Sequence, residues 1–303
     1  MHNITNKIVT ATSQVILGKE HQIRLALACI LARGHLLIED LPGMGKTTLA
    51  HTLAQVLGLD FRRVQFTSDL LPADILGISV YDRNSALFKF HPGPVFTNVL
   101  LADEVNRATP KTQSALLEVM EEGQVTLEGE TRKLPQPFFV IATQNPTHHI
   151  GTFPLPESQL DRFLMRIQLG YPDANSERDL LKNKGGRSSI SGLTPCIDGA
   201  GLLQLQQTVH SIHISDALLD YLQALLNYTR SSSRYAAGLS PRAGLALKQC
   251  AQAWAMMQGR DFALPEDVQT VLPSVAGHRL QSAGGAEATH DAVTELLKAV
   301  ALP

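Results

Sequence analysis

Three places along the chain set reactive side chains at the end of an apolar run. The first is Asp40-Leu41-Pro42-Gly43-Met44-Gly45-Lys46-Thr47-Thr48, which follows the apolar stretch His35 to Glu39 and leads into a helical pattern. With glycine at 43 and 45, backbone N–H groups can approach a polyphosphate unobstructed, and the helix N-terminus adds a favourable field. Lys46 is placed to reach β- and γ-phosphates and Thr47 to ligate Mg²⁺, with Pro42, Met44 and Thr48 completing the loop around a nucleotide. Asp40 departs from the general pattern GxxxxGK(S/T), which has glycine there. The second place is Val99-Leu100-Leu101-Ala102-Asp103-Glu104, a buried-strand pattern ending in two carboxylates. Asp103 at the tip would hold Mg²⁺ through water and Glu104 would orient and polarise an attacking water, although paired acids at a strand end also occur as a solvated edge. The third is Phe138 to Thr143, ending in Gln144-Asn145-Pro146. Asn145 can hydrogen-bond a γ-phosphate and the lytic water, or simply form a turn before proline. His148 and His149 have no acid or cysteine at ligand spacing and are expected in a solvated loop.

These side chains need a frame that brings three strand ends together. In parallel α/β sheets, ligands sit at the carboxyl ends of the strands. The first half supplies five short apolar runs, His35 to Glu39, Phe61 to Phe66, Val99 to Asp103, Phe138 to Thr143 and Phe163 to Leu169. Between them Lys46 to Leu57 and Lys111 to Glu121 carry helical spacing, the second opened by Thr109-Pro110 and stopped by Gly123. After Gly170-Tyr171-Pro172 the strand signal fades. Helices are expected over Asn175 to Asn183, Ala200 to Val209, Ser215 to Arg230, Pro241 to Gln258 and Pro265 to Val271, with Lys184 to Gly199 as an exposed loop. At 303 residues the chain is long enough for one large domain or two unequal ones, at roughly 100–200 residues per domain.

Composition narrows the classes of function. Hydrophobic residues at 44% and charged residues at 18% exclude disorder over most of the length. A net charge of -2 gives no bulk attraction to nucleic acid or an anionic membrane. Cys29, Cys196 and Cys250 are far apart, so neither a disulfide framework nor a zinc cluster is indicated. The polar start, Met1 to Gln14, lacks a signal-peptide core, and Leu25 to Ile38 is broken by Arg33-Gly34-His35, short of the ~20 apolar residues of a membrane span. A cytoplasmic location without membrane insertion is expected.

Gly43-Met44-Gly45-Lys46-Thr47, Leu101 to Ala108, Ala142 to Pro146 and Leu155 to Phe163 together closely resemble the MoxR family of AAA+ ATPases over nearly the whole chain. The resemblance implies an α/β AAA+ P-loop domain with a parallel five-stranded sheet between helices, residues 1–170, followed by a smaller all-helical lid domain, residues 171–303. It accommodates Asp40, because the Glu-Asp-x-Pro-Gly loop is similar to that of many relatives. It implies ATP and Mg²⁺ as ligands and sensor 1 as the role of Asn145. Arg162 looks like an arginine finger reaching a neighbouring subunit's nucleotide, with Arg107 as a second candidate for that contact. Arg242 looks like sensor 2, reporting the γ-phosphate to the lid. Ile16 and Gly18, in Val15-Ile16-Leu17-Gly18, resemble the segment that packs beside adenine. Residues about 69–96 look like a helix-2 insert, and about 125–134 like a pre-sensor-1 hairpin turning near Glu128-Gly129-Glu130.

The implied function is ATP-driven, chaperone-like remodelling, maturation or cofactor insertion in a homo-hexameric ring. The client would be a protein, such as one with a von Willebrand factor A domain. A nucleic-acid motor is the first competitor, but residues 69–96 lack the Gly-Ala-Phe-Thr-Gly-Ala loop of σ54-type activators. A chelatase subunit and a nucleotide-gated scaffold with little turnover are the others. The scaffold reading is disfavoured by the presence of Lys46, Asp103, Glu104, Asn145, Arg162 and Arg242 together.

Overall fold

The computed structural model describes residues 2–84, 86–145, 152–182, 186–281, 283 and 289–302. Its strands are β1 (Leu36–Glu39), β2 (Phe61–Gln65), β3 (Gly77–Asp82), β4 (Leu87–Pro92), β5 (Val99–Asp103), β6 (Gln124–Leu127), β7 (Glu130–Lys133), β8 (Phe139–Gln144) and β9 (Met165–Ile167). Five of them form a parallel sheet in the order β2-β5-β8-β1-β9, and they are the five apolar runs of the sequence. The central strands β5 and β8 are buried at every position, as expected where helices cover both faces.

Alternation along the strands divides the core. Leu36, Ile38, Val99, Leu101 and Ile141 face helix Lys46–Val56, helix Glu20–Leu31 and the helices of the second half. Leu37, Leu100, Ala102, Val140 and Ala142 face helix Pro110–Glu122 and the segment around Ile75 and Val95. The register sets Gln65 beside Asp103 and Glu39 beside Gln144. The three strand ends carrying reactive residues therefore open on one edge.

Both inserts contain antiparallel hairpins. Helix Pro72–Leu76 leads into β3–β4, and β6–β7 turns at Glu128 and Gly129, with φ of 53° and 81°. That pair of positive φ values belongs to the tight turns that match strand twist. Helix Pro110–Glu122 begins at Thr109, whose hydroxyl accepts the Thr112 N–H at 3.4 Å, and stops at Gly123.

Beyond β9 the described chain is helical: Ala174–Leu181, Gly199–Ser211, Asp216–Ser231, Pro241–Met257, Pro265–Ala276 and Thr289–Ala299. The region expected as an exposed loop is instead partly packed. Its described part forms a 3-10 turn, Arg187–Gly192, with Ile190 buried, and the Cys196 N–H donates to Val56 O at 2.8 Å. Helix Pro265–Ala276 continues past the expected stop at Val271 and carries Pro273 inside it. Arg279, just beyond, donates to Asp161 Oδ1 at 2.7 Å and Phe163 O at 2.7 Å, which ties this end of the helical region to the approach to β9. Two further helices, His2–Ser13 and Glu20–Leu31, precede the sheet. Among the described residues, no helix is long and apolar enough to cross a membrane.

Candidate active site

Strand β1 runs into the glycine loop and helix Lys46–Val56 follows it. Gly43 and Gly45 adopt φ of 85° and 87°, and an added Cβ at either would meet nothing within 4 Å. Gly45 caps the helix and no side chain bonds to its first turn. The first N–H groups of that helix thus lack a side-chain cap and face open space, an arrangement that favours an anion. Lys46 lies at the loop's base, where its Nζ donates to Asn145 Oδ1 at 2.9 Å, to Gln144 O at 3.4 Å and to Asp40 O. Burial lowers the Lys46 pKa, and the carboxylates of Asp40, Asp103, Glu104 and Glu39 oppose that shift.

Asp103 is buried at the tip of β5. Thr143 Oγ1 donates to its Oδ1 at 2.5 Å, while Arg63 Nε and Nη2 donate to Oδ2 at 3.0 and 2.7 Å. Thr47 Oγ1 lies 3.4 Å from the same Oδ2, so a hydroxyl and a carboxylate adjoin as a hard cation requires. Glu104 follows with φ 57°, a left-handed conformation that costs a non-glycine residue about 1–2 kcal/mol. Its N–H donates to Thr143 Oγ1 at 2.9 Å, which pins the turn. Its carboxylate accepts from Gln65 Nε2 at 2.8 Å, Arg107 Nη1 at 2.8 Å and Asn145 Nδ2 at 3.1 Å. Arg107, the second candidate for an intersubunit contact, bonds Glu104 within this chain.

Beside the loop opens a cavity of about 420 Å³, lined by Val15, Ile16, Leu17, Pro42, Gly43, Met44, Gly45, Thr48 and the turn Gly170-Tyr171-Pro172. This volume falls within the range of about 300–1,000 Å³ typical of small-molecule sites. Ile16 takes its expected place on the wall. Gly18 does not line the cavity; its missing side chain would point at Ser176 Oγ, 2.4 Å from an added Cβ, so its role is the close approach of helix Ala174–Leu181.

Arg162 and Arg242 are brought together, but not at this site. Arg162 Nη2 lies 3.1 Å from Glu121 Oε2 and Arg242 Nη2 lies 2.5 Å from Glu121 Oε1. Together with Arg33, Gly34 and His35 they line a second cavity of about 320 Å³. Those three residues precede β1 whereas the glycine loop follows it, a strand length of roughly 13 Å away. Arg242 therefore does not reach the phosphate loop of its own chain, contrary to the expected report from γ-phosphate to lid. The hydrogen bond from Arg242 is the main cause that lowers the Glu121 pKa.

Arg63, Gln65 and Thr143 escaped sequence reasoning. Arg63 and Gln65 do share one face at spacing i, i+2 near the end of an apolar run, which is the signal that was available. Pro146, His148 and His149 lie outside the described residues, and among the described residues no group of three or more His, Cys, Asp or Glu could hold a metal ion.

Residues 35–165 match the family described as ATPase family associated with various cellular activities (AAA), and residues 227–298 match the AAA lid domain. Chaperone MoxR1 of Mycobacterium tuberculosis is 39% identical, over 98% of this chain and 82% of that protein. Protein YeaC of Bacillus subtilis is 44% identical, over 92% of this chain and 88% of its own. A crystal structure of a candidate ATPase from Cytophaga hutchinsonii is similar with a TM-score of 0.89 and 36% identity, covering 100% of this chain and 96% of that one.

Proposed function

Because the chain belongs to the MoxR family of AAA+ ATPases, we propose that its strand-end site hydrolyses Mg-ATP and drives chaperone-like remodelling, maturation or cofactor insertion of a partner protein from within a homo-hexameric ring. The observation that carries this reading is the convergence of Lys46, Asp103, Glu104 and Asn145 on one helix N-terminus that has no side-chain cap. The name of the Mycobacterium tuberculosis relative, a chaperone, supports a protein client.

In this reading the triphosphate lies along the N–H groups after Gly43, and Lys46 exchanges its internal acceptors for β- and γ-phosphate oxygens. Thr47 and Asp103 would hold Mg²⁺, which supplies charge neutralisation on the phosphates. Glu104 takes up the proton of the attacking water, and Asn145, already 3.1 Å from that carboxylate, orients the water. Gln65 and Arg107 occupy Glu104 Oε2, so they must yield this oxygen before it serves as a base. Arg162 and Arg242, remote from their own phosphate loop, are proposed to act on the nucleotide of the adjacent subunit.

The hairpin β3–β4 is the surface best suited to hold the client. Leu87, Phe88 and Tyr81 stand 65%, 69% and 51% exposed there, and apolar exposure on this scale marks an interaction site. The site itself is tested with two variants. Lys46→Ala should lose nucleotide binding, and Glu104→Gln should keep binding while losing turnover. Hydrolysis at the parental rate in both would place the chemistry elsewhere.

A further inference from the structure

Asp40 stands where the general phosphate-loop pattern has glycine, and a carboxylate beside a polyphosphate is unfavourable unless it is turned away and bonded. The structure shows how this is done. Asp40 Oδ1 accepts the Leu41 N–H at 2.8 Å, while Oδ2 accepts the Leu169 and Gly170 N–H groups at 2.7 Å each. Its backbone belongs to the loop: the N–H donates to Gln144 O at 3.3 Å and the carbonyl accepts Lys46 Nζ. One residue therefore joins the start of the phosphate loop to the chain leaving β9.

What that chain does next is decisive. Gly170 adopts φ 64°, and Gly170-Tyr171-Pro172 forms the cavity wall facing Pro42, Met44 and Gly45. The wall is also held by Lys19, itself a lining residue of the cavity, whose Nζ donates to Tyr171 O at 2.5 Å. Without the Asp40 carboxylate, the Leu169 and Gly170 N–H groups lose their acceptor and the wall loses its bond to the loop. Charge-assisted bonds to backbone N–H groups are among the stronger ones available for such a fixture.

Resting on the nucleotide-binding reading above, we infer that Asp40 is a positioning residue for nucleoside recognition: it fixes the Gly170-Tyr171-Pro172 wall to the phosphate loop, so that the two grip one ligand together. Its contribution goes to the nucleoside end of the ligand, not to the phosphates. The test compares ATP with inorganic tripolyphosphate, each with Mg²⁺, by calorimetric titration of the full chain and of Asp40→Gly and Asp40→Asn. Asp40→Gly restores the general glycine pattern, yet it should weaken ATP about tenfold while tripolyphosphate affinity shifts less than about twofold. Asp40→Asn, which keeps one oxygen acceptor but no charge, should show the same selectivity with a smaller loss, and it carries the test if the glycine variant fails to give a cooperative thermal transition. Equal losses for both ligands would assign Asp40 to the phosphate loop alone and overturn the inference. Unchanged or tighter ATP binding in a folded Asp40→Gly chain would overturn it as well. Parental protein that binds neither ligand would instead sink the nucleotide-binding reading itself.

Discussion

Thr143 makes two bonds at the centre of the site, donating to Asp103 and accepting the Glu104 N–H. Replacing it with valine keeps the shape and removes both, leaving the left-handed Glu104 without the bond that holds it. Thr143→Val should bind ATP with little change but turn it over about 10–100-fold more slowly, since hydrogen bonds to charged groups are worth about 1.5–3 kcal/mol. Single-turnover assays beside equilibrium binding separate the two. The residues legible from the sequence were those whose signal is contiguous, as in Gly43 to Thr47, or terminal to a strand, as in Asp103, Glu104 and Asn145. Thr143, Arg63 and Gln65 acquire their roles from strand register, such as Gln65 beside Asp103, and no local pattern carries that information.

At the scale of elements, the inner strands β5 and β8 were visible because strands covered on both faces are nearly continuous apolar runs, whereas the edge strand β2, with Arg62, Arg63 and Gln65, showed only its flanking Phe61, Val64 and Phe66. Helix His2–Ser13 was overlooked for the converse reason. Its buried stripe, Thr5, Ile8, Val9 and Thr12, has helical spacing, yet two of its members are threonines, and Thr12 is buried with its hydroxyl bonded to Ile8 O at 2.8 Å. The junctions between elements also make stability depend on pH. His35, whose Nδ1 accepts the Val140 N–H and whose Nε2 bonds Met120 O, is pushed by burial from its ordinary 6.5 to about 4. His278, beneath Phe163 O, is held well below its ordinary value by burial, reinforced by the cations of Arg279 and Arg166. Below about pH 6.5 the unfolded chain takes up protons that these folded imidazoles refuse, so stability falls as pH drops from 6.5 toward 4. Thermal unfolding should show a lower midpoint at pH 5 than at pH 7.5, with a loss on the order of 2 kcal/mol from His35 and a further loss in the same direction from His278. His278→Gln, which keeps a donor toward Phe163 O, should flatten part of that slope; an unchanged slope would remove His278 from the account.

For the molecule as a whole, the position of Arg242 was the least legible feature, because it depends on how the helical region docks through Arg279 onto Asp161 and Phe163. In the proposed ring, the two guanidinium groups that pair with Glu121 here, a strand length from their own phosphate loop, would exchange that partner for a neighbour's nucleotide. Arg162→Ala should slow hydrolysis on the order of 10³-fold. Mixing those subunits with Lys46→Ala subunits should partly restore it, and no recovery in demonstrably mixed oligomers would count against shared sites. The sheet behind these sites carries a different consequence, for solubility. Of its two edges, β9 packs against helix Pro265–Ala276, while β2 pairs with β5 on one side and, among the described residues, has no strand on the other. An unpaired strand edge is a template for accretion of further strands. Here it is five residues long and carries Arg62 and Arg63, both exposed, so a second copy offering the same edge would bring cation against cation. The arginine that steadies Asp103 thereby also leaves this edge a poorer template for a further strand.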